Sequence, residues 1–381
     1  METVYNKKDQ KPINGEVKAS YFGVDLHKDQ ITWHCIMLMT NGELVRTTGV
    51  TSTDCITTDF VSMLTKNNSY VIVEASGSTF FFHSLVSAHC TKAIVINPLA
   101  FREMYMTGKK TDKVDAKKLA DRLMYHIEMG DADDGFPEVF VPDAEAQMVR
   151  KLVAAYDSTV KKITQCKNRI KAILRGKIIN TIGDTVVNYM EKVLEHPRLD
   201  QADRIMMKAL KAEYDTLCTQ KEALKDAIQE IGVKRFHAEI KVLISVAGVG
   251  ILGACVFMSD IISVDRFKSV KHMTSYLSSV GKVDSSGNTT RNGGLNKRGR
   301  KASYRFILQG LEHIVNSNVM LQAFKERHKG TKTNKVRAAE VRKTFVAMYF
   351  MLKNNEPYRY TNKSLHNKKI VEVNKIYEKA A

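Results

Sequence analysis

The amino-acid sequence predicts an α/β domain followed by an all-α region, on three observations. Strand-like and helix-like segments alternate from Tyr21 to about Tyr125, and two long runs between residues 144 and 235 repeat apolar residues at helical spacing. From Phe236 onward, helical segments are separated by glycine-rich turns. Alternating elements build a sheet covered by helices, whereas long runs of helical period build bundles.

The alternating region begins with a strand meander. The apolar runs YFGVDL and ITWHCIMLM precede the Asn41-Gly42 pair, which is a strong hairpin signal, and ELVRTTGV follows that pair. An amphipathic run to Leu64 leads to two further strand patterns, YVIVEA and KAIVINP, and then to a helix that opens near Asp112. This order of elements predicts a mixed sheet covered by helices.

Two long helices are predicted next. Apolar residues recur at three-four spacing from Val149 to Leu174 and again from Leu210 to Ile231, with Pro197 between the two runs. An antiparallel helical hairpin or a dimeric coiled-coil arm would bury both apolar stripes. We assign no catalytic residue to this segment.

The last third of the chain opens with 18 uncharged residues, from Val242 to Ser259. A membrane helix needs about 20 apolar residues, and Gly248, Gly250 and Gly253 interrupt this stretch. We therefore expect two short helices joined by a glycine turn, no membrane span and a cytoplasmic protein. The last twenty or so residues are expected to form a solvated tail.

These patterns divide the chain into six segments. They are a flexible polar arm (1–18), a mixed-sheet domain (19–130), an acidic linker (131–143), a helical hairpin or coiled coil (144–235), a mainly helical domain with a serine-containing loop (236–320) and a basic helical tail (321–381).

The charge of the chain predicts a polyanionic partner. The 381 residues carry 59 Lys and Arg against 41 Asp and Glu, a net charge of +18, and the composition excludes a mostly disordered or collagen-like protein. Residues 291 to 381 hold 21 of the basic residues and 6 of the acidic ones, which is +15 of that total. Basic residues at 291–305 and 325–343 are therefore expected to contact a nucleic-acid backbone.

Four carboxylates follow predicted strand ends and one helix start. Asp25 ends YFGVD, Glu74 ends YVIVE, and Asp112 and Asp115 lie three residues apart on one face of the helix in KKTDKVDAKKLA. Any one of them alone is an ordinary strand-end or helix-capping residue. Together they have the order expected of a ribonuclease H-like nuclease. Clustered carboxylates need cations, and Mg²⁺ ions bound there would serve phosphodiester chemistry. His27 and His83 lie near these acids in sequence and either could tune or ligate a metal, but a lone histidine is more often structural, so both are left out of the metal set.

Residues 21–126, with GVDLHKD, VEASG, VINP and GKKTDKVDAKKLA, resemble the amino-terminal DEDD domain of the Piv/MooV-type transposases, the insertion-sequence-110 family. AGVGILGACVFMSDI, RFKSVKHMTSYLSSVGKV and DSSGNTTRNGGLNKRGRKASYR are similar to that family's second conserved domain. The resemblance implies a RuvC-like domain of ribonuclease H fold, a coiled coil and a serine-bearing domain. It also implies catalytic and metal-binding roles for Asp25, Glu74, Asp112 and Asp115.

The resemblance further implies recombination through a covalent serine-DNA link. The nucleophile corresponds to Ser286, with Ser285 as the open alternative, and two Mg²⁺ ions are expected per site. The family is similar to enzymes guided by a structured bridge RNA that pairs with target and donor DNA. The implied partners are therefore DNA, a guide RNA and further copies of the chain in a homodimer or homotetramer, within a bacterial or archaeal nucleoid.

The region around Ser286 also has a physical interpretation. A serine hydroxyl needs a base, a metal or an electropositive phosphate site before it attacks a phosphodiester. Glycines let the backbone approach a phosphate closely, and basic side chains surround that phosphate with charge. The candidate nucleic-acid-binding residues of this loop are Lys282, Arg291, Lys297, Arg298 and Arg300. Upstream, the AGVG turn resembles the phosphate-binding hairpin of helix-hairpin-helix modules. The pattern of the transposase family that the chain resembles has proline where this sequence has Ala247.

Two alternatives stay open from the residues. One is a RuvC-like, structure-selective nuclease without strand joining, for which Ser286→Ala leaves cleavage intact. The other is a non-catalytic nucleic-acid-binding protein, for which Glu74→Ala and Asp112→Ala spare every activity. Transposase and invertase are not distinguished by this sequence, and neither is the target site.

Overall fold

The computed structural model describes residues 16–99, 111–130, 136–180, 190–286, 289–296 and 299–380, with backbone only over the described part of 282–292. The chain divides into two compact units, Met1–Val141 and Pro142–Ala381. In the first unit the elements are β1 (Val17–Leu26), β2 (Gln30–Met39), β3 (Leu44–Ser52), β4 (Ser69–Glu74), α1 (Thr79–Val86), β5 (Lys92–Ile96) and α2 (Asp112–Met129). In the second they are α3 (Ala144–Gly176), α4 (Met190–Leu194), α5 (Gln201–Arg235), α6 (His237–Leu243), α7 (Ile251–Ile261), α8 (Val270–Tyr276), β6 (Gly281–Ser286), β7 (Thr289–Leu295), α9 (Ala302–Asn316), α10 (Val319–Arg327), α11 (Thr333–Asn354) and α12 (Lys363–Ala380).

The first unit contains a five-stranded sheet in the order β3-β2-β1-β4-β5. β1, β2 and β3 pair antiparallel, and β1, β4 and β5 pair parallel. Gly42 adopts φ 84° in the turn between β2 and β3, where glycine meets no steric penalty. The predicted mixed sheet is confirmed, and its arrangement is consistent with a ribonuclease H-like domain.

The two faces of this sheet have separate cores. On one face, Tyr21, Ile72 and Ile94 pack with Leu119 and Leu123 of α2. On the other face the core contains the side chains of Phe22, Val24, Val71, Val73, Phe60, Phe82 and Val86. Because successive strand residues point to opposite faces, this division fixes which strand-end residues lie on the α2 side.

Two segments of the first unit differ in detail from the sequence expectation. The run up to Leu64 forms three short helical turns between Thr53 and Met63. Thr58 Oγ1 there donates to the carbonyl of Cys55 at 3.2 Å, a local bond that competes with regular helix. In the predicted linker, the amide of Val139 donates to the carbonyl of Val95 at 2.7 Å, which attaches this segment to β5.

The second unit is built on α3 and α5, which confirm the two predicted long helices. Asp143 caps α3 by accepting from the amide of Ala146 at 2.9 Å, and Asp200 begins α5 with a capping box. Contact layers run in opposite directions along the two helices, so the pair is antiparallel. The layers are Val153 with Ile228, Ile163 and Cys166 with Leu217, and Ile170 and Leu174 with Met207 and Leu210.

One continuous core joins the base of this helix pair to the helices that follow. Val149 and Val233 belong to the same buried cluster as residues of α7, α9 and α11, in which the rings of Phe257 and Phe345 stack at 5.6 Å. The expected solvated tail is wrong for the last residues, because they form α12 and Val373 is fully buried in this core. Among the residues that the structure describes, no helix is both long enough and apolar enough to cross a membrane.

Candidate functional site

Asp25 and Glu74 lie at the ends of neighbouring parallel strands, β1 and β4. The last residues that these two strands pair with each other are Val24 and Val73, and both point into the core on the side away from α2. The next residue of each strand is therefore on the α2 face. The two carboxylates share one edge and one face of the sheet, as the sequence predicted.

Asp112 and Asp115 lie in the first turn of α2, on this same face. Thr111 caps the helix by accepting from the amide of Val114, so both acids lie near the positive end of the helix dipole. The helix rests directly on β1 because residue 23 is glycine. A Cβ atom on Gly23 would lie 2.1 Å from the carbonyl oxygen of Ala116. All four predicted acids thus belong to one face of one unit.

His27 joins the acids of two different elements. Its Nε2 atom lies 3.3 Å from Asp25 Oδ2 and 3.2 Å from Asp112 Oδ2, although Asp25 and Asp112 are far apart in sequence. One ligand atom from each of the three residues lies within 4.8 Å of the others. The metal set predicted from the sequence excludes His27, because a lone histidine is more often structural. The period of two from Asp25 along β1 would have placed it on the same face.

Glu74 and Asp115 are half-buried on this face but lie outside that group of three. The loop after Glu74 is tied down, because Thr79 Oγ1 donates to the Glu74 carbonyl at 2.7 Å and the amide of Ser76 donates to Thr79 Oγ1 at 2.8 Å. The side chains of Asp25, His27 and Asp112 are 26%, 36% and 55% exposed, which is open enough for a substrate to reach.

This group fits a divalent cation. Carboxylate oxygens are the ligands that Mg²⁺ and Mn²⁺ prefer, and an imidazole nitrogen is more readily accepted by Mn²⁺ than by Mg²⁺. Four acids on one face repel one another unless a cation or a proton lies among them. The site is thus of a kind that holds a divalent metal, and a bound metal would stabilise the charge that develops on phosphodiester oxygens.

The serine-containing loop of the second unit is a β-hairpin, which corrects the expectation of an irregular loop. β6 and β7 pair antiparallel with Gly281 opposite Leu295, and Ser285 and Ser286 lie opposite Thr290 and Thr289. Only two residues, Gly287 and Asn288, separate the strands, so Ser286 is the last β6 residue before the connection. That Gly-Asn pair between strand-forming residues was the sequence signal for this hairpin.

The predicted nucleic-acid-binding residues fall at the hairpin. Lys282 and Arg291 lie in β6 and β7, where only backbone is described, and Lys297 and Arg298 lie outside the described residues. Arg300 follows the hairpin, and its Nε atom donates to Asp260 Oδ1 at 2.6 Å. Its contact with nucleic acid stays a prediction.

The glycine turn between α6 and α7 is packed against α9. Gly248 adopts φ 88°, and a Cβ atom there would lie 2.5 Å from the carbonyl oxygen of Gly310. Lys369 of α12 donates to the carbonyls of Ile244 and Val249 at 3.1 and 2.8 Å, and burial lowers the pKa of this lysine. These contacts stabilise the turn, which has Ala247 where the family pattern has proline. Phosphate binding by the turn stays a prediction.

Two protein-family models match the chain. A model of DEDD transposases of the IS110 type, described as a transposase, matches residues 22–179. A second model, described as the transposase IS116/IS110/IS902 family, matches residues 240–329. The chain belongs to the IS110 family of transposases. This membership confirms the family resemblance of the sequence motifs.

Two curated relatives carry related names. A protein named as a transposase, y4qE, from Sinorhizobium fredii is 24% identical over 236 residues, which cover 60% of this chain and 54% of that protein. The transposase for insertion sequence element IS1111A of Coxiella burnetii is 23% identical over 307 residues, which cover 76% of this chain and 79% of that protein. The chain thus spans about half the length of the first relative. Transposases are enzymes that act on DNA.

The residues predicted from the sequence as site residues fall in different family matches. The first match contains Asp25, Glu74, Asp112 and Asp115, and the second contains the hairpin with Ser285 and Ser286. The whole of α5, the second long helix, lies between the two matched regions.

Proposed function

We propose that this protein is the DNA transposase of an insertion sequence. It cuts and rejoins DNA by phosphodiester transfer through a covalent serine-DNA intermediate. The observation that carries the proposal is the meeting of Asp25 and Asp112 at His27, on the face that also holds Glu74 and Asp115, within the matched IS110 region. Acids that only cap their own strand or helix would not be expected to lie against one histidine from two separate elements.

In this proposal each group has a defined task. Asp25, Glu74, Asp112 and Asp115 would hold two Mg²⁺ ions, which would supply positive charge that stabilises the attacking and leaving oxygens. The Oγ atom of Ser286 bonds to phosphorus, the hydroxyl proton leaves, and the phosphorus-oxygen bond to the departing sugar breaks. The departing sugar oxygen takes a proton. Attack by a DNA hydroxyl on the serine ester later reverses these changes and joins the strands.

The covalent step explains why a recombinase would carry a serine. The serine ester keeps the free energy of the broken phosphodiester, so strands can be joined without a nucleotide cofactor. Consecutive strand residues belong to opposite faces of the hairpin, so Ser285 and Ser286 are not interchangeable. We assign the nucleophile to Ser286. A bridge RNA that pairs with target and donor DNA would supply sequence specificity, and a homodimer or homotetramer formed through α3 and α5 would supply several active sites.

The test is a denaturant-stable adduct between protein and DNA. Purified protein with its co-purified RNA is incubated with Mg²⁺ and DNA that carries the ends of its element, and the adduct is measured by denaturing electrophoresis. Ser286→Ala and Asp25→Asn are expected to reduce the adduct to background. Ser285→Ala and Asp54→Asn, an exposed acid of the same unit, are the matched controls and should retain it.

Each other outcome has a definite meaning. An adduct that persists in Ser286→Ala and disappears in Ser285→Ala moves the nucleophile by one residue. Cleavage without any adduct in the wild type supports the structure-selective nuclease instead. Wild-type activity in Asp25→Asn removes the acidic site from the mechanism.

A further inference from the structure

A completely buried acid is hydrogen-bonded to the segment that follows the serine hairpin. Asp260, in the last turn of α7, has no exposed surface, and its Oδ1 atom accepts from Arg300 Nε at 2.6 Å. Its Oδ2 atom accepts from the amide and the hydroxyl of Ser303 at 3.1 and 2.7 Å. Both carboxylate oxygens are therefore bonded to the segment that follows the hairpin, as a buried charge requires.

The end of α7 that carries Asp260 is itself fixed. Arg150 Nε donates to the carbonyl of Ser259 at 2.6 Å, and Arg266 Nε donates to the carbonyl of Ile261 at 2.6 Å. Cations are favourable at the carboxyl end of a helix, and here they bind carbonyls that the helix leaves unpaired. Asp260 is thus a rigid attachment point.

Backbone hydrogen bonds at the base of the hairpin connect its two ends to each other and to α8. The amide of Arg300 donates to the carbonyl of Tyr276 at 2.7 Å, and a Cβ atom on Gly299 would lie 2.2 Å from that same oxygen. Across the base, the amide of Asn296 donates to the carbonyl of Val280 at 2.9 Å. The segment around residue 300 is therefore held to α8 through backbone and to α7 through its side chain.

Ser286 lies at the opposite end of the hairpin from this attachment. The five steps from Gly281 to Ser286 span about 17 Å at the rise of a β-strand. Within the described residues the hairpin pairs with no third strand, and an isolated two-stranded hairpin is only marginally stable. A tilt of about 10° at the base would move the tip by about 3 Å, and a misplacement of about 1 Å can cost about a hundredfold in rate.

We infer that Arg300 and Asp260 form an anchor that sets the direction of the β6–β7 hairpin, and that both are positioning residues for the serine. The expected effect on the rate of serine adduct formation rests on the proposed function, whereas the anchoring of the hairpin does not depend on that function. It assigns Arg300 a role inside the protein in place of a contact with DNA phosphate.

The experiment uses the full chain, four single variants and the double variant Arg300→Gln/Asp260→Asn. Arg300→Gln removes the charge, Arg300→Lys keeps the charge without the guanidinium, and Asp260→Asn keeps the size of the buried group. The matched control is Lys301→Gln, which makes the same change of charge one residue further along, at an exposed side chain. Near-ultraviolet circular dichroism checks that each variant is folded, and if Arg300→Gln fails to fold, Arg300→Lys and Asp260→Asn carry the test.

Amide hydrogen exchange over residues 281–296 reports on the anchor directly. We expect at least tenfold faster exchange in Arg300→Gln and Asp260→Asn, with unchanged exchange in β1 and a wild-type pattern in Lys301→Gln. The double variant should exchange no faster than the faster single variant, because one pair is being broken. Unchanged hairpin exchange in both single variants overturns the inference.

Two further measurements separate the anchor from a phosphate contact and from the proposed function. Without Mg²⁺, Arg300→Gln should leave the salt dependence of DNA binding unchanged, whereas a slope reduced by about one would mean that Arg300 contacts phosphate and would overturn the inference. Serine adduct formation should be about a hundredfold slower in Arg300→Gln and partly restored in Arg300→Lys. If Ser286→Ala retains the adduct, the proposed nucleophile is wrong, while hydrogen exchange still decides the anchor.

Discussion

Gly23 brings the acids of β1 and α2 together. Its missing side chain leaves the space that the backbone of α2 occupies, since a Cβ atom would lie 2.1 Å from Ala116 O and 2.4 Å from Ala120 N. Both atoms belong to helix backbone, which cannot rotate away as a flexible side chain can. The short distance between Asp25 and Asp112 therefore depends on the absence of a Cβ atom at residue 23.

Gly23→Ala should separate the two sides of the acidic site. We expect a loss of stability of about 1–3 kcal/mol from overpacking, together with at least tenfold weaker binding of Mn²⁺, because α2 must move off β1. Calorimetric titration with Mn²⁺ and thermal unfolding measure the two effects. Gly253→Ala is the control, because a Cβ atom there meets nothing within 4 Å and alanine favours a helix interior. Wild-type Mn²⁺ affinity in folded Gly23→Ala would contradict this role.

The positions of the acids were predictable from sequence, and the contact of His27 with Asp112 was not. Asp25 and Glu74 each end an uninterrupted apolar run, and Asp112 opens a helix, so their positions on the sheet edge follow from element boundaries. His27 lies one residue beyond β1, and its contact with Asp112 depends on where α2 begins relative to that strand. The distance between the start of α2 and the end of β1 cannot be read from the sequence.

At the scale of elements, α11 carries a buried acid with an unsatisfied oxygen. Glu340 is 2% exposed, and its Oε1 atom has no hydrogen-bond partner among the described residues. Burial raises the pKa of this carboxyl group, while Lys325 and Arg337 act in the opposite direction. The folded chain therefore keeps the proton over a pH range in which the unfolded chain has lost it.

Glu340→Gln should stabilise the protein at neutral pH. In the wild type, stability is highest below the pKa of the unfolded glutamate and falls as pH rises through the raised pKa of the folded state. The variant lacks this fall, so its advantage should grow from near zero at about pH 4 to about 1 kcal/mol at about pH 8. Urea unfolding across this range measures it. Glu312→Gln, at an exposed position of α9, should show no such trend, and a pH-independent difference in Glu340→Gln would refute the explanation.

Helices whose apolar residues repeat at regular helical spacing were predicted from the sequence. Helices that depend mainly on contacts with other helices were not. α3 and α5 bury stripes that the three-four spacing revealed. α12 is polar overall and buries fully only Val373, and polar contacts such as the bond between His366 Nε2 and the Lys241 carbonyl also hold it. Its packing therefore depends on α5 and α6 more than on its own sequence. The serine hairpin was missed for a different reason, because glycine-rich composition outweighed the pairing signal.

The two units carry opposite net charge. Residues 1–141 contain 15 Lys and Arg against 18 Asp and Glu, and residues 142–381 contain 44 against 23. The net charges are thus −3 and +21. An acidic unit repels a phosphate backbone unless cations are bound, so we expect the metal-independent DNA affinity of the proposed transposase to come from the second unit.

The turn between α10 and α11 is the strongest described candidate for that affinity. Its basic side chains are exposed, and six of them fall within thirteen residues: Lys325, Arg327, Lys329, Lys332, Lys335 and Arg337. Glu326 is the one acid in this stretch, and it pairs with Lys329. The turn therefore presents a nearly uncompensated positive surface.

Replacing Lys332, Lys335 and Arg337 together by Gln should weaken DNA binding and reduce its salt dependence. Each lost phosphate contact lowers the slope of log K against log salt concentration by about one, so a reduction of about two to three is expected. Fluorescence anisotropy with duplex DNA in EDTA measures this slope without any contribution from metal at the acidic site. Lys66→Gln, an exposed lysine of the first unit, is the control and should leave the slope unchanged. If the triple variant keeps the wild-type slope while Lys66→Gln lowers it, DNA is bound by the acidic first unit. The assignment of DNA binding to the basic second unit is then wrong.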